Sequence, residues 1–284
     1  MNTYNDDWSE IENITTFKHW VEVKYPNKDE WDNIVTLSCV GDFLTDLDGI
    51  ENFRNLERLY CSNNHLKTLN GVEKLPYLKE IYCSNNHIKS IEDIGNLPKL
   101  ERLYCETNKL KNLDGIEKLV SIKEFSCSYN LNLDSLNGIG NLKKLNVLYC
   151  YNINLKTLDG IENLTNLEYL SCANNSLESL NGVEKLYNLK SLHCYHNNLR
   201  SLDGVGNLIN LKFLMCHHND LPNLNNVENL INLEKINCSS NNLTNIDEIR
   251  QHRNISEIHC LENKLTEFYK KQILDTFPNV LITI

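Results

Sequence analysis

No apolar run in this 284-residue sequence is long enough to cross a bilayer as a helix. Its opening, MNTYNDDWSEIE, has neither the basic nor the apolar region of a secretory leader. These two absences predict a chain that stays in the cytoplasm. Positive charge is scarce too: Lys and Arg total 28 against 38 Asp and Glu, for a net charge of −10. Binding to phosphate backbones or anionic lipid needs a basic face, so neither nucleic acid nor a membrane is an expected partner. The spacings that mark chemistry are also missing. There is no C-x-x-C zinc pair, and no G-x-S-x-G, G-x-x-x-x-G-K-[ST] or H-E-x-x-H string. The chain reads as not an enzyme, with no cofactor. Alanine occurs once, at Ala173, whereas Asn occurs 45 times, a bias that reads as translation of an AT-rich genome.

What the sequence does have is a period. Cysteines stand at 39, 61, 83, 105, 127, 150, 172, 194, 216, 238 and 260, nine intervals of 22 residues and one of 23. Such a period means a stack of one supersecondary unit. In the unit LERLYCSNNHLKTLNGVEKLPYL (56–78), Leu59 and Cys61 are two apart and share one face of a short strand, which turns Arg58, Tyr60 and Ser62 the other way. Asn64, repeated as Asn86, Asn108, Asn130, Asn175, Asn197, Asn219, Asn241 and Asn263, can satisfy backbone groups where the chain bends. An Asx-Gly pair follows, and Glu51, Glu73, Glu117, Glu162, Glu184 and Glu228 stand three residues after the Asx position, a capping-box spacing. Each unit therefore reads as strand, Asn turn, capped short helical segment and return.

The pattern L-x-x-L-x-C-x-x-N-x-L-x-x-L-x-G-[IV]-x-x-L-x-x-L resembles the leucine-rich repeat (LRR), in a 22-residue class similar to internalins and to a regulatory subunit of protein phosphatase 1. The Asn and Cys bias further resembles the LRR proteins of giant viruses of amoebae. The resemblance implies an α/β solenoid, a right-handed superhelix. Its parallel strands would line the concave face and short helical or 3-10 segments the convex face. It also implies binding of a protein or peptide on the concave face, with the steering of a phosphatase or ubiquitin ligase, or a structural place in an assembly, as alternatives.

Residues 1–33 fall outside the repeat. Trp8, Ile11, Ile14, Phe17, Trp20 and Val21 have helical spacing with Asp6, Asp7 or Ser9 as N-cap, and Tyr25-Pro26 stops the helix. This helix should cover the first rung near Trp31, Ile34 and Leu37, because a stack needs a cap. Eleven rungs follow over 34–265. Residues 266–284 form a closing cap, with Leu265, Tyr269, Ile273 and Phe277 on a helical stripe ended by Pro278, then a final strand in which Ile282 falls 22 after Cys260. Neighbouring cysteines come within disulfide reach. Their number is odd, however, and all point inward, so the reading is a reduced buried column.

Two features break the uniformity. Asn130-Leu131-Asn132-Leu133 carries one residue too many, and Ile153 stands where the column Asn belongs. From 147 to 221 the outward set becomes Val147, Tyr149, Tyr151, Tyr169, Ala173, His193, Tyr195, His196, Phe213, Met215, His217 and His218. The earlier column Arg58, Glu80, Arg102, Glu124 alternates in sign and should pair with itself. Aromatic and Met residues on adjoining strands mark an interaction patch. The candidate partner-binding residues are Tyr149, Tyr151, Tyr169, His193, Tyr195, Phe213, Met215 and His217, on a monomer. His196 and His218 occupy equivalent places, but outward carboxylates to complete a metal site are lacking apart from Asp220, so no metal is expected. Protonation of the His cluster between about pH 5 and 7 should weaken binding to a basic or apolar partner.

Overall fold

The computed structural model describes residues 15–284. Trp8, Ile11, Ile14 and the N-cap candidates Asp6, Asp7 and Ser9 lie outside them. The first helix, α1 (Phe17–Lys24), buries Phe17, Trp20 and Val21. Phe17 and Trp20 stack at 5.6 Å, and Trp31 stacks at 5.0 Å on Phe53 of the first rung. Trp20 Nε1 donates to Asp42 Oδ2 at 2.9 Å, satisfying the one polar atom of a buried indole. Phe53 of the first rung thus meets Phe17, Tyr25 and Trp31 of the N-terminal segment.

Twelve three-residue strands follow: β1 (Thr36–Ser38), β2 (Arg58–Tyr60), β3 (Glu80–Tyr82), β4 (Arg102–Tyr104), β5 (Glu124–Ser126), β6 (Val147–Tyr149), β7 (Tyr169–Ser171), β8 (Ser191–His193), β9 (Phe213–Met215), β10 (Lys235–Asn237), β11 (Glu257–His259) and β12 (Leu281–Thr283). They form one parallel sheet in chain order. This is an α/β solenoid. In each of β1 to β11 the central residue and the following Cys are buried, and all eleven cysteines are free. Burial pushes their thiols up, to about 12 for Cys83, Cys172 and Cys216, so none is a thiolate nucleophile at neutral pH.

The strands are short because the chain turns two residues after each Cys. From Cys61 onward the residue there has positive φ in every rung, whether it is Asn63, Asn85, Thr107, Tyr129, Asn152, Asn174, His196, His218, Ser240 or Glu262. Next comes the Asn column, which bridges rungs. Asn64 Oδ1 accepts from Leu44 N at 2.9 Å, while its Nδ2 donates to Cys39 O at 2.7 Å and Cys61 O at 3.0 Å. Each such amide satisfies backbone groups that burial would otherwise strand. The column is interrupted at Ile153. There Asn175 Oδ1 accepts from both Ile153 N and Leu155 N, and Leu133 N donates instead to Asn130 O at 2.9 Å. Strand pairing runs through the defect unchanged, Glu124 opposite Val147, so the loop absorbs the extra residue and leaves Leu131 exposed.

Three expectations are corrected. The return segments are not capped by Asx. Five of their 3-10 turns start from a left-handed glycine with no side-chain cap, at Gly49, Gly71, Gly115, Gly138 and Gly204. The Glu does reach back, but to the glycine: Glu73 accepts from Gly71 N at 2.6 Å and Glu117 from Gly115 N at 3.0 Å. Glycine is required at 115 twice over, since φ is +95° and a Cβ would lie 2.8 Å from Glu92 Cα on the previous rung. Three rungs lack glycine at this place: Asn226 takes the left-handed conformation in one, and in the other two the 3-10 turn starts from Ile91 and Ile246 at negative φ. Second, no 3-10 helix forms between β6 and β8; those returns are turns only. Third, Ile282 pairs with Ile258 rather than standing level with Cys260, because α2 (Glu267–Thr276) makes the last connection two residues longer. That helix is capped by Thr266, whose Oγ1 accepts from Tyr269 N at 3.2 Å, and it buries Ile273. Among the described residues no helix is long and apolar enough to cross a membrane.

Candidate binding face

Three outward columns run along the sheet: the first and third residue of each strand, and the residue after each Cys. On β2 to β5 the first column carries charge that is largely spent internally. Arg102 bonds Glu80 at 2.8 Å and Glu124 at 3.0 Å. Arg58 departs from the expected pairing and donates to Thr36 Oγ1 instead. The column just before the strands also pairs, Glu57 with Lys79, Glu101 with Lys123, Glu168 with Lys190 and Glu234 with Lys212. Tyr60, Tyr82 and Tyr104 stack at 4.9 Å spacings beside these charges.

From β6 to β9 the character changes. The three columns read Val147, Tyr169, Ser191, Phe213; Tyr149, Ser171, His193, Met215; and Tyr151, Ala173, Tyr195, His217. No Asp, Glu, Lys or Arg stands in them. In each column one small residue, Ser191, Ser171 or Ala173, stands between two larger ones that close over it. Ala173, expected to face outward, is therefore fully buried, since it lies between Tyr151 and Tyr195 in its column. Ser171 and Ser191 are buried as well. The sequence carried this signal as a small residue between two larger ones at 22-residue spacing.

The rings form one connected network. Tyr149 meets Tyr169 at 5.1 Å, Tyr169 meets His193 at 5.0 Å, and Tyr195 stacks on His217 at 4.4 Å, with His193 and Tyr195 at 6.3 Å. Hydrogen bonds fix His193 from both sides: its Nδ1 lies 3.1 Å from Tyr169 Oη, and its Nε2 lies 3.1 Å from Ser191 Oγ. Tyr151 joins at the edge against Tyr129, at 5.2 Å. Phe213 and Met215 extend the surface beside Ser191 and His193 by strand pairing. All eight candidate residues are thus brought onto one face, where each is half-buried.

Residues 76–118 and 143–185 match a family model described as Leucine Rich repeats (2 copies). Among solved structures, the chain superposes on internalin InlF of Listeria monocytogenes with a TM-score of 0.75 at 23% identity, over 90% of this chain and 84% of that one. This is a leucine-rich repeat protein similar to internalins. The functional domain of InlJ from the same bacterium, described as including a cysteine ladder, gives a TM-score of 0.74 at 28% identity, over 84% of this chain and 51% of that one. The plant peptide hormone receptor RGFR1, solved in complex with RGF2, shares the fold at a TM-score of 0.57 and 20% identity, over 78% of this chain and 43% of its own. None of the curated proteins matches the chain. LRR folds commonly serve as scaffolds for protein–protein interaction.

In this LRR protein the histidines pack as aromatic surface. His196 and His218 share the left-handed position after the strand and stack at 4.1 Å with 8° between their planes. Stacked rings aim their nitrogens sideways, not at a common point. Among the described residues no group of three or more His, Cys, Asp or Glu could hold a metal ion. Burial pushes His193 and His196 below the ordinary imidazole value, with His218 adding to the effect on His196. His217 is pushed down to about 4 by burial and by His218, His196, His193 and His259. Its Nδ1 is buried without a hydrogen-bond partner.

His217 itself takes no part in the binding response expected between pH 5 and 7, because folded His217 stays neutral through that range. The unfolded chain takes up that proton near pH 6.5, so stability present at pH 7 falls as pH drops toward 4. Glu57, Glu124 and Glu257, held below the ordinary carboxylate range, lose stability in the same direction, but only at lower pH. The melting temperature is expected to decline between pH 7 and 5 and to do so less steeply in His217→Phe, which keeps a ring against Tyr195. Equal slopes would show that His217 is not the responsible group.

Proposed function

We propose that this chain is a non-catalytic scaffold that holds a protein or peptide on the strand face between β6 and β9. The single observation behind this reading is the uncharged aromatic island across four adjacent rungs, flanked on both sides by strands whose charges pair with one another. Interface cores favour Tyr, Phe and Met, are depleted in charge, and sit inside a polar rim. Tyr149, Tyr151, Tyr169, His193, Tyr195, Phe213, Met215 and His217 supply that core. The receptor complex with RGF2 offers a precedent for peptide binding on this fold. The eleven free, buried thiols suit a reducing compartment, and we assign the chain to the cytoplasm as a monomer.

The test is site-specific photo-crosslinking. A photoreactive side chain at Met215 should trap a partner from lysate, whereas the same group at exposed Tyr187, on the return segment, should not. Trapping from Tyr187 alone would move the interface off the strand face.

A further inference from the structure

The outward strand columns contain four carboxylates, Glu80, Glu106, Glu124 and Glu257. Three of them face cations. Glu80 and Glu124 share Arg102, and Glu257 bonds Lys235 at 2.6 Å and His259 Nε2 at 2.6 Å. Glu106 has no cationic partner among the described residues. One of its oxygens, Oε1, accepts from Ser126 Oγ at 2.5 Å. It stands in the same column as Ser128 and Tyr151, two rungs before the aromatic island begins.

The rung between them is small. Ser126 and Ser128 have no exposed surface, because Tyr104 and Glu106 on one side and Tyr149 and Tyr151 on the other close over them. Burial raises both phenols, and charge adds to it: that of Glu106 at Tyr151, and those of Glu124 and then Glu106 at Tyr149. Tyr129, set edge-on to Tyr151 and half-exposed, flanks the same place. A carboxylate without a cationic partner, in the same column as Tyr151 and two rungs from it, is a setting for a cation, attracted both by the charge and by nearby ring quadrupoles.

We propose that the corner made by Glu106, Tyr149 and Tyr151 takes the Lys or Arg side chain of the bound polypeptide, whose adjoining apolar residues lie over Tyr169, Tyr195, Phe213 and Met215. This rests on the binding-face reading and adds the partner's chemistry: a segment with one basic residue beside an apolar stretch. The chain's net charge of −10 favours approach of such a segment. Among the described residues no Lys or Arg bonds Glu106, and Arg102 is already committed to two other carboxylates.

The experiment probes an array of randomised dodecapeptides with the wild-type chain, with Glu106→Gln and with Tyr169→Ala/Phe213→Ala, each first shown to melt like wild type. Glutamine keeps an acceptor for Ser126 and removes only the charge. The expected result is enrichment of Lys or Arg at one position beside apolar residues. That enrichment is lost in Glu106→Gln, with affinity for the best basic peptides down about tenfold. Retained peptides that depend on Tyr169 and Phe213 but show no basic preference, or are unaffected by Glu106→Gln, overturn the cation corner and leave the binding face standing. Retention independent of all three residues, or no retention, overturns both.

Discussion

Tyr169→Ala, Tyr195→Ala and Phe213→Ala combined in one chain are expected to weaken partner binding at least about a hundredfold while the fold persists. Anchors of this kind at the centre of an interface each cost about 2 kcal/mol or more on truncation, and these three span β7, β8 and β9. Their rings are only half-buried, so the stability lost is that of partial apolar burial, on the order of 1 kcal/mol each. The melting temperature should fall by several degrees without loss of cooperativity. The control is built into the same sheet: Tyr60, Tyr82 and Tyr104 stack in an equally regular column, but beside paired charges. Replacing those three should cost similar stability and leave binding nearly intact. Calorimetric titration of a captured partner against both triple variants, with melting curves on each, decides the matter. Equal loss of binding in the two would mean that any aromatic column serves and that the island is not the site.

Asn197→Ala, taken as representative of the Asn column, should be severely damaging for a single substitution of a polar residue. Asn197 Oδ1 accepts from Leu177 N at 2.9 Å, and its Nδ2 donates to Cys172 O at 3.1 Å and Cys194 O at 3.0 Å, all buried. Alanine leaves these groups facing a small void with no partner. At about 1–3 kcal/mol for each unsatisfied buried group, partly relieved by entering water, a loss of about 3–5 kcal/mol is expected. In a stack whose rungs touch only their neighbours the damage stays local. Amide exchange should accelerate at Leu177 and across β7 to β9 while β2 to β4 keep their protection. Asn197→Asp should be no better, since it loses the donors and buries a charge. Denaturant unfolding together with residue-resolved exchange tests both claims. Uniform loss of protection from β1 to β12 would show that the rungs unfold as one unit and refute the local account.

Much of the candidate face could be read from the sequence, and the reason is periodic. A 22-residue repeat assigns every residue to a column, so Tyr149, His193 and Met215 could be placed side by side before any coordinates. The failures came where a residue's state depends on its neighbours' size or on backbone geometry. Ala173 is buried because Tyr151 and Tyr195 flank it, which its own identity does not say. Nothing in Thr107, Tyr129 or Glu262 marks the left-handed turn that each adopts, since those types rarely take it and the Asn-column bonds beside them hold it there. Glu106 lay in a column of mixed residues, and its lack of a cation became visible only once Arg102 was seen to be shared between Glu80 and Glu124.

The order of residues alone determined the stack, the direction and register of β1 to β11, the inward cysteines and the bridging Asn column. Each of these follows from which side chain can be buried, or can satisfy the backbone, at a fixed spacing. The tertiary structure alone decided which outward charges are spent, which small residues are covered, and which glycines rather than Asx residues start the return turns. Those outcomes depend on atoms 22 or more residues apart competing for the same few ångströms, and a spacing rule does not weigh that competition.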